Sequence, residues 1–444
     1  MLALCMLMCA PTRADLTSAQ TAYQKGDYPK ALHDYRELAE LGQPLAQLNL
    51  AIMYTRGEGT RQSDINAYAW ATLAAAGGEA RGQALADQLR PYLAPGSEKI
   101  AADIAAPYRR TELDARLMPK MVADSVDQRA CVFQKYPSIE YPPDARLRAI
   151  SGNVLAEFTV MPDGRARSPR IVYALPVGVF EPTVRRAVLH MSFASRSADA
   201  RAAHCKVMIR FVSPGALYPR LEAFVSKTRS EAEAGDVEAE FVYGMMLAGF
   251  PQLNHSMKDA LPWFLKAAQA GARGAQYEVG ESLMLGMGCQ CETNKGEVWL
   301  RKAAEADQAD AQVSIAQYAL RGTPDEAASR IAKTWLERAA KSGSHDGTLY
   351  LAALLASNPL AELRDPPRAL TLLDKVGRDM GGDPTEYEIR AAAQAASGQY
   401  AAAVASERKA LSIAKGLDWD LSPLEERLRQ YQSGQPWYGN LLAL

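Results

Sequence analysis

Two periodicities divide the chain. Between Tyr141 and Val212 apolar and polar residues alternate, most clearly in Val154-Leu155-Ala156-Glu157-Phe158-Thr159-Val160, in Arg170 to Ala174 and in Cys205 to Val212. Such alternation predicts half-buried strands, because successive side chains point to opposite faces of a sheet. Met161-Pro162-Asp163-Gly164 supplies a hairpin turn between the first two strands, and Glu181 to Met191 has the helical period, so this segment reads as a small α+β module. On either side of it apolar residues recur at the helical spacing of about 3.6.

The helical flanks are repetitive. Trp263, Trp299 and Trp335 are spaced by 36 residues, and the same step links Gly235, Gly271, Asp307 and Gly343, then Ala239, Ala275, Ala311 and Gly347, then Gly244, Gly280, Ala316 and Ala352. The pairs Ala267-Ala268, Ala303-Ala304 and Ala339-Ala340 keep that register, and Gly42, Ala46, Ala51, Trp70, Ala74 and Gly78 reproduce it once before the module. A unit of this length fits two antiparallel helices that bury their apolar faces against neighbouring units. Alanine lets backbones approach at helix crossings, and tryptophan fills the wedge between the helices of a unit. Trp70, Trp263, Trp299 and Trp335 are therefore expected as repeat core rather than ligand contacts. Gly57 and Gly59, matched by Gly286 and Gly288, mark the turn between the two helices, where a positive φ is needed. Neither pair extends to a phosphate-binding GxGxxG, since Gln62 and Cys291 stand at the third glycine position. Pro262 fits only the first turn of its helix, and the unit from Gly343 slips its register by about one residue, with Ala369 in place of Arg368.

These residues resemble a known family. Ala46-Gln47-Leu48, Tyr54, Gly57-Glu58-Gly59, Ala67, Trp70 and Ala74-Ala75 look like a Sel1-like repeat, a relative of the tetratricopeptide repeat, and Ala275-Gln276-Tyr277, Gly286-Met287-Gly288 and Trp299 to Ala304 match it better still. The resemblance implies an α-solenoid that binds other proteins or peptides. Ala391 to Ala414, with Gly398-Gln399-Tyr400, Ala403 and Ala410, resembles a tetratricopeptide hairpin, and Tyr431 to Trp437 reads as a terminal cap. The middle segment resembles the C-terminal domain of TonB energy transducers. Tyr141-Pro142, Gly152-Asn153-Val154, Phe158-Thr159-Val160, Asp163-Gly164 and Phe180-Glu181 stand where that family has its YP start, GxV, FxV, DG turn and helix start, while Met191-Ser192 replaces its aromatic-basic pair. This second resemblance implies periplasmic peptide recognition, in which a receptor segment adds to an exposed strand edge.

The expected fold is thus multidomain, an α-solenoid of Sel1/tetratricopeptide-like helical hairpins plus a small α+β TonB C-terminal-like domain. Its divisions are a signal peptide over 1–14, N-terminal Sel1-like repeats over 15–93, a helical linker over 94–130, the TonB C-terminal-like domain over 131–214, Sel1-like repeats over 215–378, and a tetratricopeptide-like hairpin with a C-terminal cap over 379–444. The signal peptide rests on the apolar run Leu2 to Ala10 followed by Thr12-Arg13-Ala14, a run too short for a stable membrane span. No positive charge precedes Leu2, which points to a start further upstream. Neither a spanning helix nor a long Pro-rich spacer is read in the chain, so likeness to the transducer domain does not carry energy transduction with it.

Composition alters this picture at two points. Fifty basic and 51 acidic side chains leave a net charge of -1, too balanced for a protein that coats nucleic acid. The balance is local only in sum, because Cys131 to Pro214 carries twelve basic and six acidic residues, net +6, against -7 elsewhere. Cys131 and Cys205 bracket that basic segment, which favours a disulfide between them in an oxidising compartment, with Cys289 and Cys291 either paired or free. Zinc lacks four ligands there, as His255 and His345 are remote. His204-Cys205 is no dyad, since strand neighbours face opposite ways. Ser412-Ile413-Ala414-Lys415 matches SxxK without its companion motifs.

No enzyme, cofactor or metal is therefore expected. The sequence predicts a periplasmic protein-protein interaction scaffold, with protein or peptide partners in the cell envelope. The alternative is an accessory of TonB-dependent outer-membrane transport that binds receptor segments without energy coupling. The expected partner edge is the last strand of the module, with Cys205, Val207, Ile209 and Phe211 packed inward and Lys206, Met208 and Arg210 turned to solvent or ligand, where the basic charge would draw an acidic peptide.

Overall fold

The computed structural model describes residues 15–122, 133–161, 163–195, 203–213, 219–249, 257–321, 325–376 and 382–441. The first arm holds α1 (Leu16–Gln24), α2 (Tyr28–Glu40), α3 (Pro44–Arg56), α4 (Asp64–Ala76), α5 (Ala80–Leu89), α6 (Ser97–Ala105) and α7 (Arg110–Arg116). The module follows with β1 (Phe133–Lys135), α8 (Pro143–Leu147), β2 (Gly152–Val160), β3 (Ala166–Leu175), α9 (Glu181–Leu189), β4 (Ser192–Phe193) and β5 (Ala203–Phe211). The second arm runs through α10 (Pro219–Glu233), α11 (Val237–Gly249), α12 (Met257–Gln269), α13 (Arg273–Leu285), α14 (Thr293–Glu305), α15 (Ala309–Ala319), α16 (Glu326–Lys341), α17 (His345–Ser357), α18 (Pro366–Val376), α19 (Thr385–Ala396), α20 (Tyr400–Gly416) and α21 (Ser422–Gln432). Successive helices of each arm pack as hairpins, giving a mostly helical solenoid with a small β-containing region.

The repeated sequence columns have local physical causes. Gly57 and Gly286 end α3 and α13 in the left-handed conformation, at φ 71° and 72°. Two residues on, a Cβ on Gly288 would lie 2.6 Å from the backbone of Met257 and Lys258, and Gly59 meets Tyr28 of α2 in the same way, so each glycine admits the previous helical pair to close approach. Gly235, Gly271 and Gly343 are also left-handed, and Asp307 in that column takes φ 49°. A glutamine column ties unit to unit: Gln47, Gln276 and Gln312 are buried, and each donates its side-chain amide to a carbonyl eight residues earlier, Ala39, Ala268 and Ala304, at 3.1, 3.1 and 2.9 Å. Gln276→Leu leaves the Ala268 carbonyl without that partner and should cost about 1 kcal/mol, read as a lower urea midpoint of the full chain.

Pro262 departs from expectation. It is the sixth residue of α12, inside the helix rather than in its first turn. The turn tolerates it because Pro262 and Lys258, whose carbonyl loses its donor, both lie on the exposed side of α12.

The unit before the module does not stand alone in space. The Leu16 N–H donates to Ala270 O at 3.2 Å and Gln269 Nε2 to Leu41 O at 2.9 Å, joining the first arm to the α12–α13 turn. The chain after α7 completes the join. Trp299 Nε1 donates to Leu117 O at 2.8 Å, Lys295 Nζ to the carbonyls of Asp114 and Met118, and Gln290 N to Lys120 O at 2.9 Å. Leu41, Leu113 and Leu117 thereby enter one apolar core with Phe264, Leu283 and Trp299.

In the module β2 is central in an antiparallel sheet of order β3-β2-β5, and β1 pairs separately with β4. Val154, Ala156, Phe158 and Val160 face α9, packing with Phe180, Val184, Val188, Cys205, Ile209 and Phe211. The Phe180 and Phe211 rings stack at 4.2 Å. Gly164 forms the hairpin turn at φ 84°. At the far end α21 and the tail close the solenoid: Tyr431 is fully buried, and the Gly439 N–H donates to Ser357 O at 2.8 Å.

Candidate functional site

Every residue of β2 is buried, so both faces of the sheet are covered. One face carries the module's own core. The other presents Leu155, Glu157 and Lys206 to the repeat helices, Leu155 joining the apolar core of α11 to α14. Charge fills the rest of this interface. Arg170 of β3 pairs with Glu157 beside it and with Asp310 of α15 at 2.8 Å, and donates to the Tyr277 hydroxyl at 3.1 Å. The Tyr277 hydroxyl in turn donates to Glu157 at 3.3 Å. Lys206 reaches Glu278 of α13, with Glu157 at 3.6 Å on its other side. Further along, Arg167 lies 3.7 Å from Glu388 of α19 and 4.3 Å over the Trp419 ring.

The electrostatics follow from this enclosure. Burial alone would lower the Lys206 pKa, but the carboxylates of Glu278 and Glu157 outweigh it and hold the ammonium above its ordinary value. Burial similarly opposes the Arg170 charge and is overcome by Glu157, Tyr277 and Asp310. Burial, then Glu157, raises the Tyr277 phenol well above 10.0, so it stays a donor. Arg167, Arg170 and Lys206 of the module are therefore matched by carboxylates of the repeat helices.

This corrects the expected partner face. Lys206 is turned to the solenoid rather than to solvent: its side chain is 14% exposed and engaged by Glu278. The alternating pattern placed it on the outer face of the sheet correctly, but that face is covered by the solenoid. Met208 lies opposite Leu155 in the β2–β5 register, and Arg210 is exposed at the end of the strand. β5 itself is an outer strand of the sheet.

Cys205 is disulfide-bonded, and Cys131 lies outside the described residues. Cys289 and Cys291 are free thiols, which removes the paired alternative. Their side chains diverge: Cys289 is buried with Sγ toward Ser282 O at 3.4 Å, whereas the exposed Cys291 faces Met284 O at 3.3 Å. Burial pushes the Cys289 thiol up to about 12. Of the tryptophans, Trp70, Trp299 and Trp335 are buried, while Trp263 is half-buried, stacked edge-on with Tyr243 and covered by Lys266. Ser412 and Lys415 lie exposed on α20.

The residues that the sequence did not single out are the interface charges, Glu157, Arg167, Arg170, Glu278, Asp310 and Glu388. Their trace in the sequence was the split between a +6 middle and -7 flanks.

Comparison with known proteins agrees with this architecture. The Sel1 repeat family model matches residues 44–79, 237–271, 274–308 and 309–344, corresponding to α3–α4, α11–α12, α13–α14 and α15–α16. The model for the Gram-negative bacterial TonB protein C-terminal matches residues 137–212. No curated protein matches the chain. Among solved structures, a protective antigen of uropathogenic Escherichia coli strains displaying an SLR fold aligns at 17% identity and a TM-score of 0.38, covering 94% of this chain and 64% of that one. This chain thus spans just under two thirds of that protein. A Sel1 repeat protein from Oxalobacter formigenes aligns at 16% identity and a TM-score of 0.32, covering 81% of this chain and 98% of that one. The chain therefore combines Sel1 repeats with a TonB C-terminal domain, set between the first repeat and the other three.

Proposed function

We propose that the protein is a non-enzymatic periplasmic interaction scaffold in which the repeat arms hold the TonB-like module in a fixed pose and the module's outer strand meets an envelope partner. The observation that carries this reading is the charge-matched docking of the sheet on the solenoid, which commits one sheet face to the arms and places β5 at the sheet edge. Recognition then falls to the β5 edge and to Arg210 rather than to Lys206. Two features support export. Asp15 caps α1, its side chain accepting from Ser18 N at 2.7 Å, so the first helix is complete from the residue after Ala14. The disulfide at Cys205 suits an oxidising compartment, and Cys131 is its proposed partner. No helix among the described residues is long and apolar enough to cross a membrane.

The match to the TonB C-terminal family favours a second reading, an accessory of TonB-dependent transport that binds receptor segments without driving them. One experiment addresses both. A photo-crosslinking amino acid at position 210, compared with one at the exposed Arg330 on α16, should trap an envelope protein from position 210 in intact cells. An outer-membrane receptor in that adduct selects the transport reading, and another envelope protein selects the scaffold. Identical adducts from both positions, or unprocessed protein confined to the cytoplasm, would overturn the proposal.

A further inference from the structure

The module is held from a second side. Val184, Ala187 and Val188 of α9 pack in the module's own core, whereas Leu189, the last residue of that helix, does not. Leu189 is 1% exposed and belongs to one apolar cluster with Ala410 and Ala414 of α20, with Leu417 and Trp419, and with Leu424 of α21. By burying a leucine outside the fold that carries it, the chain commits α9 to the C-terminal hairpin. The last Sel1 repeat match ends at residue 344, so α19 to α21 lie beyond it.

The charges repeat this arrangement from β3. Arg167 Nη1 lies 3.7 Å from Glu388 Oε1, and its guanidinium sits 4.3 Å over the ring of Trp419, itself a member of the Leu189 cluster. Glu388 Oε2 accepts from Arg427 of α21, but Oε1 has no hydrogen-bond partner among the described residues. Asp383, just ahead of α19, is buried as well; burial raises its pKa, while hydrogen bonds from Thr385 and then the Arg167 charge oppose the rise. Arg427 is already shared between Glu388 and Glu407. The buried carboxylates of Asp383, Glu388 and Glu407 thus outnumber Arg427, and the module supplies Arg167. A buried carboxylate left without a counter-charge is strongly destabilising, which makes the hairpin and the module complementary.

We propose that α19 to α21 form a clasp that closes on the module through Leu189 and Arg167 and keeps the module's charged sheet face shut against the repeats. Arg170 and Lys206 lie on that face, so opening the clasp frees them. Buried ion pairs contribute little net stability, and the apolar hold on Leu189 adds what the pairs of Arg170 and Lys206 do not supply. The clasp rests on the docked pose proposed above and adds the element that secures it.

Acetylation of the full chain with acetic anhydride, followed by peptide mass spectrometry, reads the pose at Lys206. Its side chain is 14% exposed against 73% for Lys227 on α10, so Lys206 should label far more slowly in the wild type. Labelling of a protected lysine follows the population of the open state. Leu189→Ser should raise the Lys206 rate, relative to Lys227, by about tenfold or more. Arg167→Gln should raise it by about fivefold or more, since it leaves Glu388 Oε1 unanswered. Leu189→Met, which keeps the apolar volume, and Arg186→Gln, an exposed neighbour on α9, should each stay within about threefold of wild type. Lys295, 8% exposed in the second arm, should remain protected throughout. Protection of Lys206 unchanged by Leu189→Ser and Arg167→Gln overturns the clasp and leaves the docked pose standing. Labelling of wild-type Lys206 as fast as Lys227 overturns the docked pose itself. Joint exposure of Lys206 and Lys295 in either variant would show general unfolding in place of local release, and would overturn the clasp.

Discussion

Trp299→Ala should lower the stability of the second arm by about 3 to 5 kcal/mol, the range for truncating a large buried aromatic residue. Trp299 is 0% exposed, and its indole does two jobs. The ring belongs to one buried apolar cluster with residues of α12 and α13 and of the segment after α7, and Nε1 donates to Leu117 O at 2.8 Å, fastening the chain after α7 to α14. Alanine loses both and leaves a buried carbonyl unpaired. Trp299→Phe keeps most of the volume and should cost roughly 1 to 2 kcal/mol, the share of the lost hydrogen bond. Half-buried Trp263 should tolerate alanine better than Trp299 does. Urea unfolding of the full chain gives the ranking, and trypsin gives a local readout, since losing the indole should speed cleavage after Lys120 in the released segment. An unchanged midpoint with unchanged cleavage would refute the core assignment.

That join also shows where sequence patterns reach their limit. The repeat was legible because each unit must solve the same problem: glycine at the turns, alanine at helix crossings, and tryptophan between the helices of a unit. The module's strands were legible because alternation is a local property. What alternation leaves open is which partner covers the second face. Glu157 and Lys206 look like solvent positions beside their apolar neighbours, yet Tyr277 and Glu278 lie far away in sequence and cap them from another domain. Only the summed charge recorded that pairing, as a basic segment between acidic ones. Pro262 failed for a simpler reason: its helix extends further toward the N-terminus than the proline suggested.

The docked arrangement also changes what the basic charge does. A module exposed at +6 would attract acidic partners from a distance and lose them in salt. With Arg170 and Lys206 enclosed by the arms, their charge acts to position the sheet. Buried pairs of this kind contribute little net stability over apolar packing but penalise any misplacement that leaves one charge alone. They therefore fix the pose of the module more than they strengthen the fold.

The second large effect is a pH dependence at the end of the solenoid. Glu407 of α20 is fully buried, and Arg427 of α21 serves it and Glu388 together, with Nε 3.0 Å from Glu407 Oε1 and the other end of the guanidinium on Glu388. Burial raises the Glu407 pKa from its ordinary 4.5 to about 7; Arg427 pulls against this and Glu388 pushes with it. A carboxyl whose pKa is higher folded than unfolded binds its proton more tightly in the native state. Its contribution to stability is present below about pH 4.5 and lost as pH rises to about 7. At about 1.36 kcal/mol per pKa unit, this places the loss at roughly 2 to 3 kcal/mol between pH 5 and 8. Glu407→Gln keeps an acceptor for Arg427 Nε without the charge, so it should gain about 2 to 3 kcal/mol over wild type at pH 8 relative to their difference at pH 5. Comparing the two proteins cancels the titration of groups that do not interact with Glu407. Parallel stability curves from pH 5 to 8, measured by urea unfolding with Trp419 and Trp437 fluorescence as reporters beside this cluster, would show that Glu407 does not titrate in that window.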